Sequence, residues 1–119
     1  MGLGGTVRQV VWLGDTLEIL RAFPPEVRKE IGSALYDAQS GDKAPAAKPF
    51  KGLGSGVFEI AIRFATNAYR AVYAVQIGER VYVLHVFQKK SKTGVKTPRQ
   101  DIELIKSRYR QAVKLEQKP

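Results

Sequence analysis

The sequence predicts an α+β fold: an antiparallel sheet with helices packed on one of its faces. Three observations carry this expectation. Between Val57 and Phe87, three runs rich in β-branched and aromatic residues follow one another across connections short enough only for hairpins. Two other stretches, Glu26–Gln39 and the segment after Pro98, repeat apolar residues at steps of three and four, the period of an amphipathic helix. Finally, strands and helices are segregated along the chain instead of alternating as βαβ units.

Each element can be argued in order. Val7-Arg8-Gln9-Val10-Val11-Trp12 is a β-branched run that predicts a first strand, stopped by Gly14-Asp15. Asp15 or Thr16 can cap a short helix carrying Leu17, Leu20 and Phe23. Pro24-Pro25 interrupts it, and proline suits the first turn of the next helix. In that helix Val27, Ile31, Ala34, Leu35 and Ala38 form one stripe, with Arg28, Lys29 and Glu30 off it; Ser40-Gly41-Asp42 ends it, with glycine in the C-cap role. The stretch 43–56, with its prolines, glycines and lysines, predicts a loop. Val57–Phe64 then alternates: Phe58, Ile60, Ile62 and Phe64 face one way, Val57, Glu59, Ala61 and Arg63 the other. Thr66-Asn67 turns the chain into Tyr69–Ile77, and Gly78-Glu79 turns it into Arg80–Phe87. Unbroken alternation in this last run puts His85 on the side of Val81, Val83 and Phe87. A basic loop, 89–96, follows. Thr97 as N-cap, Pro98 as the first helical residue and Gln100 two further on make a capping-box pattern, opening a helix whose stripe is Ile102, Ile105, Tyr109 and Ala112. The order is β-α-α-β-β-β-α, one domain over residues 1–119, with one sheet face left as a working surface.

Composition narrows the function. The chain has 119 residues, no cysteine and one histidine. Thiolate zinc sites, disulfide scaffolds, cysteine nucleophiles and multi-histidine metal sites within one chain are therefore excluded, and no metal or cofactor is expected. Lys and Arg number 20 against 11 Asp and Glu, a net charge of +9. The excess is uneven: residues 1–47 hold 5 basic and 6 acidic side chains, net −1, and residues 48–119 hold 15 and 5, net +10. A strongly basic small domain points to a polyanionic partner. No apolar run is long enough to span a membrane and no export signal is evident at the N-terminus, so a cytoplasmic location without a membrane partner is expected.

No nucleotide-binding loop or hydrolase triad is legible. Gly52-Leu53-Gly54-Ser55-Gly56 precedes a strand and lacks the helix that would aim its dipole at a phosphate. His85 sits within a strand, where a packed structural histidine or a proton-transfer group are both open. Glu59 can serve as a base or pair with a neighbouring arginine. The basic residues are the informative group. Lys48 and Lys51 lie before the second strand, Arg63 ends it, Arg70 begins the next, and Lys89, Lys90 and Lys92 follow the last. An antiparallel meander gathers Arg63, Arg70, Lys89 and Lys90 around one end of the sheet, with Phe87 as a stacking surface or a core residue. Such a metal-free cluster suits phosphodiester chemistry on RNA. The 2′-hydroxyl supplies the nucleophile, so the protein needs only to align it, stabilise phosphoryl charge and move protons.

The segments Lys48-Pro49-Phe50-Lys51-Gly52-Leu53-Gly54-Ser55-Gly56-Val57-Phe58-Glu59, Tyr69-Arg70, Val83-Leu84-His85-Val86-Phe87-Gln88-Lys89-Lys90-Ser91 and Thr97-Pro98, in this order, resemble the RelE/HigB-like toxins of bacterial type II toxin–antitoxin systems, closest to the phage-related branch beside HigB. The resemblance runs from about Val7 to Val113. It implies a RelE-like fold and a ribosome-dependent endoribonuclease, an mRNA interferase that cuts translated message without metal. It further implies two kinds of partner: the ribosome with its mRNA, and a neutralising antitoxin of helix-turn-helix type. Carried over by position, it implies catalytic roles for Arg63, Arg70, Lys89 and Lys90 and RNA binding by Lys48 and Lys51; Phe87 as a stacking surface and Lys92 in the basic run after the last strand join them as RNA-binding candidates from the residues themselves. The general base stays open among His85, Glu59, Tyr109 and a lysine. Two other readings compete. One is a ParE-like toxin that inhibits DNA gyrase by contact, and the other an RNA-binding module without catalysis.

Overall fold

A computed structural model describes residues 7–90 and 97–117. The elements are β1 (Val10–Trp12), α1 (Thr16–Arg21), α2 (Pro25–Gln39), β2 (Ala47–Pro49), β3 (Val57–Phe64), β4 (Asn67–Ile77), β5 (Arg80–Lys90) and α3 (Arg99–Glu116). They form one five-stranded sheet in the order β1-β5-β4-β3-β2. The meander β3-β4-β5 is antiparallel, β2 adds to β3 antiparallel, and β1 joins β5 in parallel. The fold class is α+β and the predicted element order holds, with β2 added inside the expected loop. β2 was invisible to pattern reading because it has three residues and ends in Pro49, which cannot donate to a ladder.

The hairpin turns follow from local chemistry. Gly78 takes φ +59 at the β4–β5 turn, where glycine carries no Cβ penalty. Gly41, just past the last turn of α2, has φ +88, the left-handed residue that ends a helix. α2 starts at Pro25, as the sequence predicts. The start of α3 differs: Pro98 is the N-cap and no side chain caps the helix, so the Thr97 capping box does not form. Pro98, with ψ 150, is extended, which moves the first helical residue to Arg99.

The sheet has an apolar layer on each face, and this corrects the expectation of helices on one face only. α1 and α2 cover the first face, where Leu20, Phe23, Val27, Ile31, Ala34 and Leu35 pack on Ile60, Ile62, Tyr69, Ala71, Tyr73, Val81, Val83 and Val86. α3 covers part of the second, where Ile105 and Ala112 pack on Val57, Val72, Ala74, Tyr82, Leu84 and Phe87. The reason lies in the strands: β4 and β5 are apolar on both sides, so each face needs a cover. Phe50 and Leu53, from the glycine-rich loop, complete the second layer.

β5 contains a bulge. Val72 pairs with His85 but Tyr73 pairs with Val83, so Leu84 is the extra residue. A bulge resets the side-chain alternation. His85 and Phe87 therefore share the second face with Tyr82 and Leu84, and Val81 and Val83 lie on the first. The expected grouping of His85 with Val81 and Val83 fails for this reason.

Candidate functional site

α3 lies over the second face from His85, beside Asp101 at its start, to Gly78, beside Glu116 at its end. Among the described residues no helix covers the end of this face nearest the β3–β4 turn. Register and alternation order its residues into rows. Arg63 pairs with Ala68, which pairs with Lys89. In the next row Ala61 pairs with Arg70, which pairs with Phe87. In the third, Lys48 pairs with Glu59, Glu59 with Val72 and Val72 with His85. Neighbouring strands lie about 4.8 Å apart, so Arg63 and Lys89 stand about 10 Å from each other across β4. Short residues, Ala61 and Ala68, separate the long basic ones and leave room between them.

At the centre, the Arg70 guanidinium donates through Nη1 to Glu59 Oε2 at 2.9 Å. The pair is half-sunk, with side-chain exposures of 12% and 20%, so it is held by its walls and is less screened than a surface pair. Ala46, Lys48, Glu59, Ala61 and Arg70 line a pocket of about 400 Å³. A carboxylate faces two cations across this space, and the small Ala46 and Ala61 side chains set its width. The sequence expectation that Glu59 pairs with a neighbouring arginine is met, and the partner is Arg70.

His85 sits at the inner border and is buried. Its Nε2 lies 2.7 Å from Asp101 Oδ1, and its Nδ1 lies 3.4 Å from Arg108 Nη1. Its ring stacks on Phe87 with centroids 4.7 Å apart and planes 17° apart. Arg108 also donates to the Leu84 carbonyl at 3.0 Å and to Asp15 at 3.1 Å. Gly14 makes this possible: a Cβ there would overlap the Arg108 guanidinium. Arginine only donates, so Nδ1 must be the acceptor and Nε2–H the donor to Asp101. Both ring nitrogens are thus engaged within the fold. Asp101 and Arg108 escaped the sequence reading because they lie one turn either side of Ile105, where periodicity marks only the apolar stripe.

The structure brings together Arg63, Arg70 and Lys89 on one face, with Lys48 at its β2 edge. The backbone of Lys90 pairs with Asn67 at the same end of the sheet. Phe87 is 9% exposed with one ring face against His85, so it is mainly a core residue. Lys51 is exposed beyond Pro49, which pairs with Phe58, and so lies at the opposite end of β3 from Arg63. Lys92 lies outside the described residues. Tyr109 packs against the second-face core, as its periodicity predicts. Among the described residues no group of carboxylates and imidazoles could hold a metal ion, and no helix is long and apolar enough to cross a membrane.

A mixed five-stranded sheet with three helices packed on it and one basic, half-open face defines a small α+β protein compatible with the RelE-like architecture. A family model of phage-derived Gp49-like proteins matches residues 18–110, most of the chain, and the protein belongs to that family. The match runs from within α1 through most of α3, and takes in every residue of the basic face. No curated protein matches the sequence.

Proposed function

We propose that this protein is the toxin of a type II toxin–antitoxin system and acts as a metal-independent endoribonuclease on mRNA in the translating ribosome. The observation that carries the proposal is the Glu59 carboxylate set against Arg70 and Lys48 in one pocket, with Arg63 and Lys89 two rows along the same sheet face. The Gp49-like family is itself RelE- and toxin-like, which supports the same reading.

In this mechanism an RNA strand lies across the strands with its phosphates along the basic rows. The Arg70 fork binds two phosphoryl oxygens and stabilises the charge that builds there. Glu59 takes the proton of the 2′-hydroxyl as its oxygen attacks the adjacent phosphorus. The new O–P bond forms as the bond to the 5′-oxygen breaks, leaving a 2′,3′-cyclic phosphate. Lys89, in the row beyond, delivers the proton that the departing 5′-oxygen needs. Glu59 is favoured over the other candidate bases by position: it lines the pocket, whereas His85 is bonded on both nitrogens and Tyr109, partly buried, packs against the second-face core away from that pocket.

The test is expression in a bacterial host with primer extension on a translated and an untranslated copy of one message. Cuts are expected only on the translated copy, together with growth arrest. Glu59→Gln and Arg70→Ala should each lower cleavage by about 10²–10⁴-fold while the protein stays folded. Lys51→Ala should cost far less. Arrest through DNA damage with intact message would instead make the protein a gyrase inhibitor. Equal cutting of both copies would remove the ribosome from the mechanism. The neutralising partner is expected to be a helix-turn-helix protein encoded beside this one.

A further inference from the structure

The first face has a cavity of its own. Between α2 and β3 runs a groove of about 280 Å³, lined by Ala34, Ala44, Pro45, Ala46, Ile60 and Ile62, with Glu30, Ser33 and Asp37 of α2 along its rim. Helical periodicity brings the two carboxylates onto one flank of α2. Glu30 and Asp37 are seven residues, about two turns, apart, which separates them by about 10.5 Å along the helix axis. Neither is matched by a cation. No basic residue lies three or four positions from either one in the sequence, and among the described residues neither enters an ion pair. Lys43, just before the segment that lines the groove, donates its ammonium to the Ala47 carbonyl instead. Asp37 is half-buried, and its charge reaches the layer beneath α2. Burial first, and this carboxylate second, raise the pKa of the Tyr73 phenol, whose hydroxyl is buried without a hydrogen-bond partner among the described residues.

An apolar floor between two uncompensated carboxylates is the complement of an aliphatic chain with an ammonium group at each end. We propose that the groove binds an aliphatic diamine, with its methylenes on Ala34, Ile60 and Ile62 and its ammonium groups on Glu30 and Asp37. Covering the methylenes supplies the hydrophobic part of the affinity. The ammonium groups are protonated at neutral pH and make the ion pairs that the chain itself does not supply. The separation of the carboxylates selects a long diamine over a short one. A single divalent metal ion does not suit the groove, because its ligands must stand ~2–2.6 Å from it and these carboxylates lie too far apart to share one. The net charge of +9 does not forbid a dication here. α2 belongs to residues 1–47, net −1, and the basic face lies across the sheet, where salt screens charges over about 8 Å. The site stands apart from the RNA reading and does not depend on it.

The experiment titrates the full ¹⁵N-labelled chain with octamethylenediamine at neutral pH. A ligand of this size reaches a dissociation constant on the order of 1 mM. Saturable amide shifts are expected at Ala34, Asp37 and Ile62. Ala46 is no reporter, because it also lines the pocket of Lys48 and Arg70. Octylamine, which keeps one ammonium, should bind about two- to fivefold more weakly, the worth of one exposed ion pair. Putrescine, too short to span the carboxylates, and the α,ω-octanediol, which has no charge, should bind about tenfold more weakly or worse. Glu30→Gln and Asp37→Asn should each weaken the diamine by about two- to fivefold. Glu26→Gln, which removes an exposed α2 carboxylate outside the groove, should leave its affinity unchanged. Equal binding of octylamine, putrescine or the diol would overturn the site. So would unchanged binding in Glu30→Gln and Asp37→Asn, an equal loss in Glu26→Gln, shifts confined to the second face, or no shift at ~20 mM diamine. Self-association of the free chain that covers Ala34 and Ile62 would also overturn it, since a second copy then fills the groove.

Discussion

His85 is the only histidine in the chain, so its ¹⁵N signals can be read without assignment ambiguity. Its contacts require a protonated Nε2 facing Asp101 and a bare Nδ1 facing Arg108. The two nitrogens should therefore show separate signals, with the proton on Nε2. Asp101→Ala should lower unfolding free energy by ~1–3 kcal/mol, because the buried N–H loses its acceptor. A proton on Nδ1, or a cost within measurement error, would show that the ring is not held this way. Tyr73 gives a second expectation. Its hydroxyl is buried with no hydrogen-bond partner among the described residues, and burial, aided by the Asp37 carboxylate, pushes its pKa up to about 12 from 10.0. In the unfolded chain the phenol ionises near its ordinary value, so this contribution to stability is full below pH ~10 and is lost as pH rises towards ~12. The loss should be on the order of 2 kcal/mol. Tyr73→Phe should remove that part of the alkaline unfolding slope and cost little at neutral pH, as followed by urea denaturation at several pH values.

At the scale of elements, the β3–β4 turn is the strained connection. Ala65 sits at φ +59, where an L-residue carries about 1 kcal/mol of steric cost that glycine escapes. Glycine also loosens the unfolded chain, so Ala65→Gly should gain a few tenths to ~1 kcal/mol by denaturant midpoint. A clear loss would mean the turn backbone is not left-handed in solution. The long elements were legible in the sequence because their periods are strong. The α2 stripe and the alternation of β3 gave the right buried faces residue by residue. What escaped were features of one to three residues. β2 has too few positions to show a period, and the Leu84 bulge leaves no composition signal while reversing the face of everything after it. The basic site was legible in part for the same reason. Arg63 and Arg70 flank a hairpin whose register is local, so their shared end could be inferred. The Glu59–Arg70 pocket also needs β2 to supply Lys48 and the turn before it to supply Ala46, and the Asp101–His85–Arg108 contacts need α3 to lie on the second face. Both depend on tertiary packing that no short window contains.

For the whole molecule, the division of charge along the chain becomes a division of surfaces. The net −1 of residues 1–47 includes all of α1 and α2, and the net +10 of residues 48–119 includes β3, β4, β5 and α3. The end of the second face that no described helix covers collects Lys48, Arg63, Arg70 and Lys89. If these four set the RNA contact, a short single-stranded oligoribonucleotide should bind with log Kobs falling against log salt at a slope near −3, about 0.7 per phosphate neutralised. Arg63→Ala should flatten that slope by about 0.7. A slope near zero would separate the basic face from nucleic acid altogether.

β1 meets β5 with Val10 beside Val81, residues 71 positions apart in the chain. Closing a loop of that size costs on the order of 4 kcal/mol in chain entropy, whereas the β3–β4 and β4–β5 turns close almost at once. The contact is only three residues long and cannot repay the cost until β5 is already fixed in the meander. Assembly should therefore run from the middle outward. The first of the five strands in chain order is then among the last to dock, and slow unfolding should begin by its release. Pulse-labelled hydrogen exchange during refolding should show the Val81 amide, which donates to the Gln9 carbonyl, protected later than the amides paired between β3 and β4.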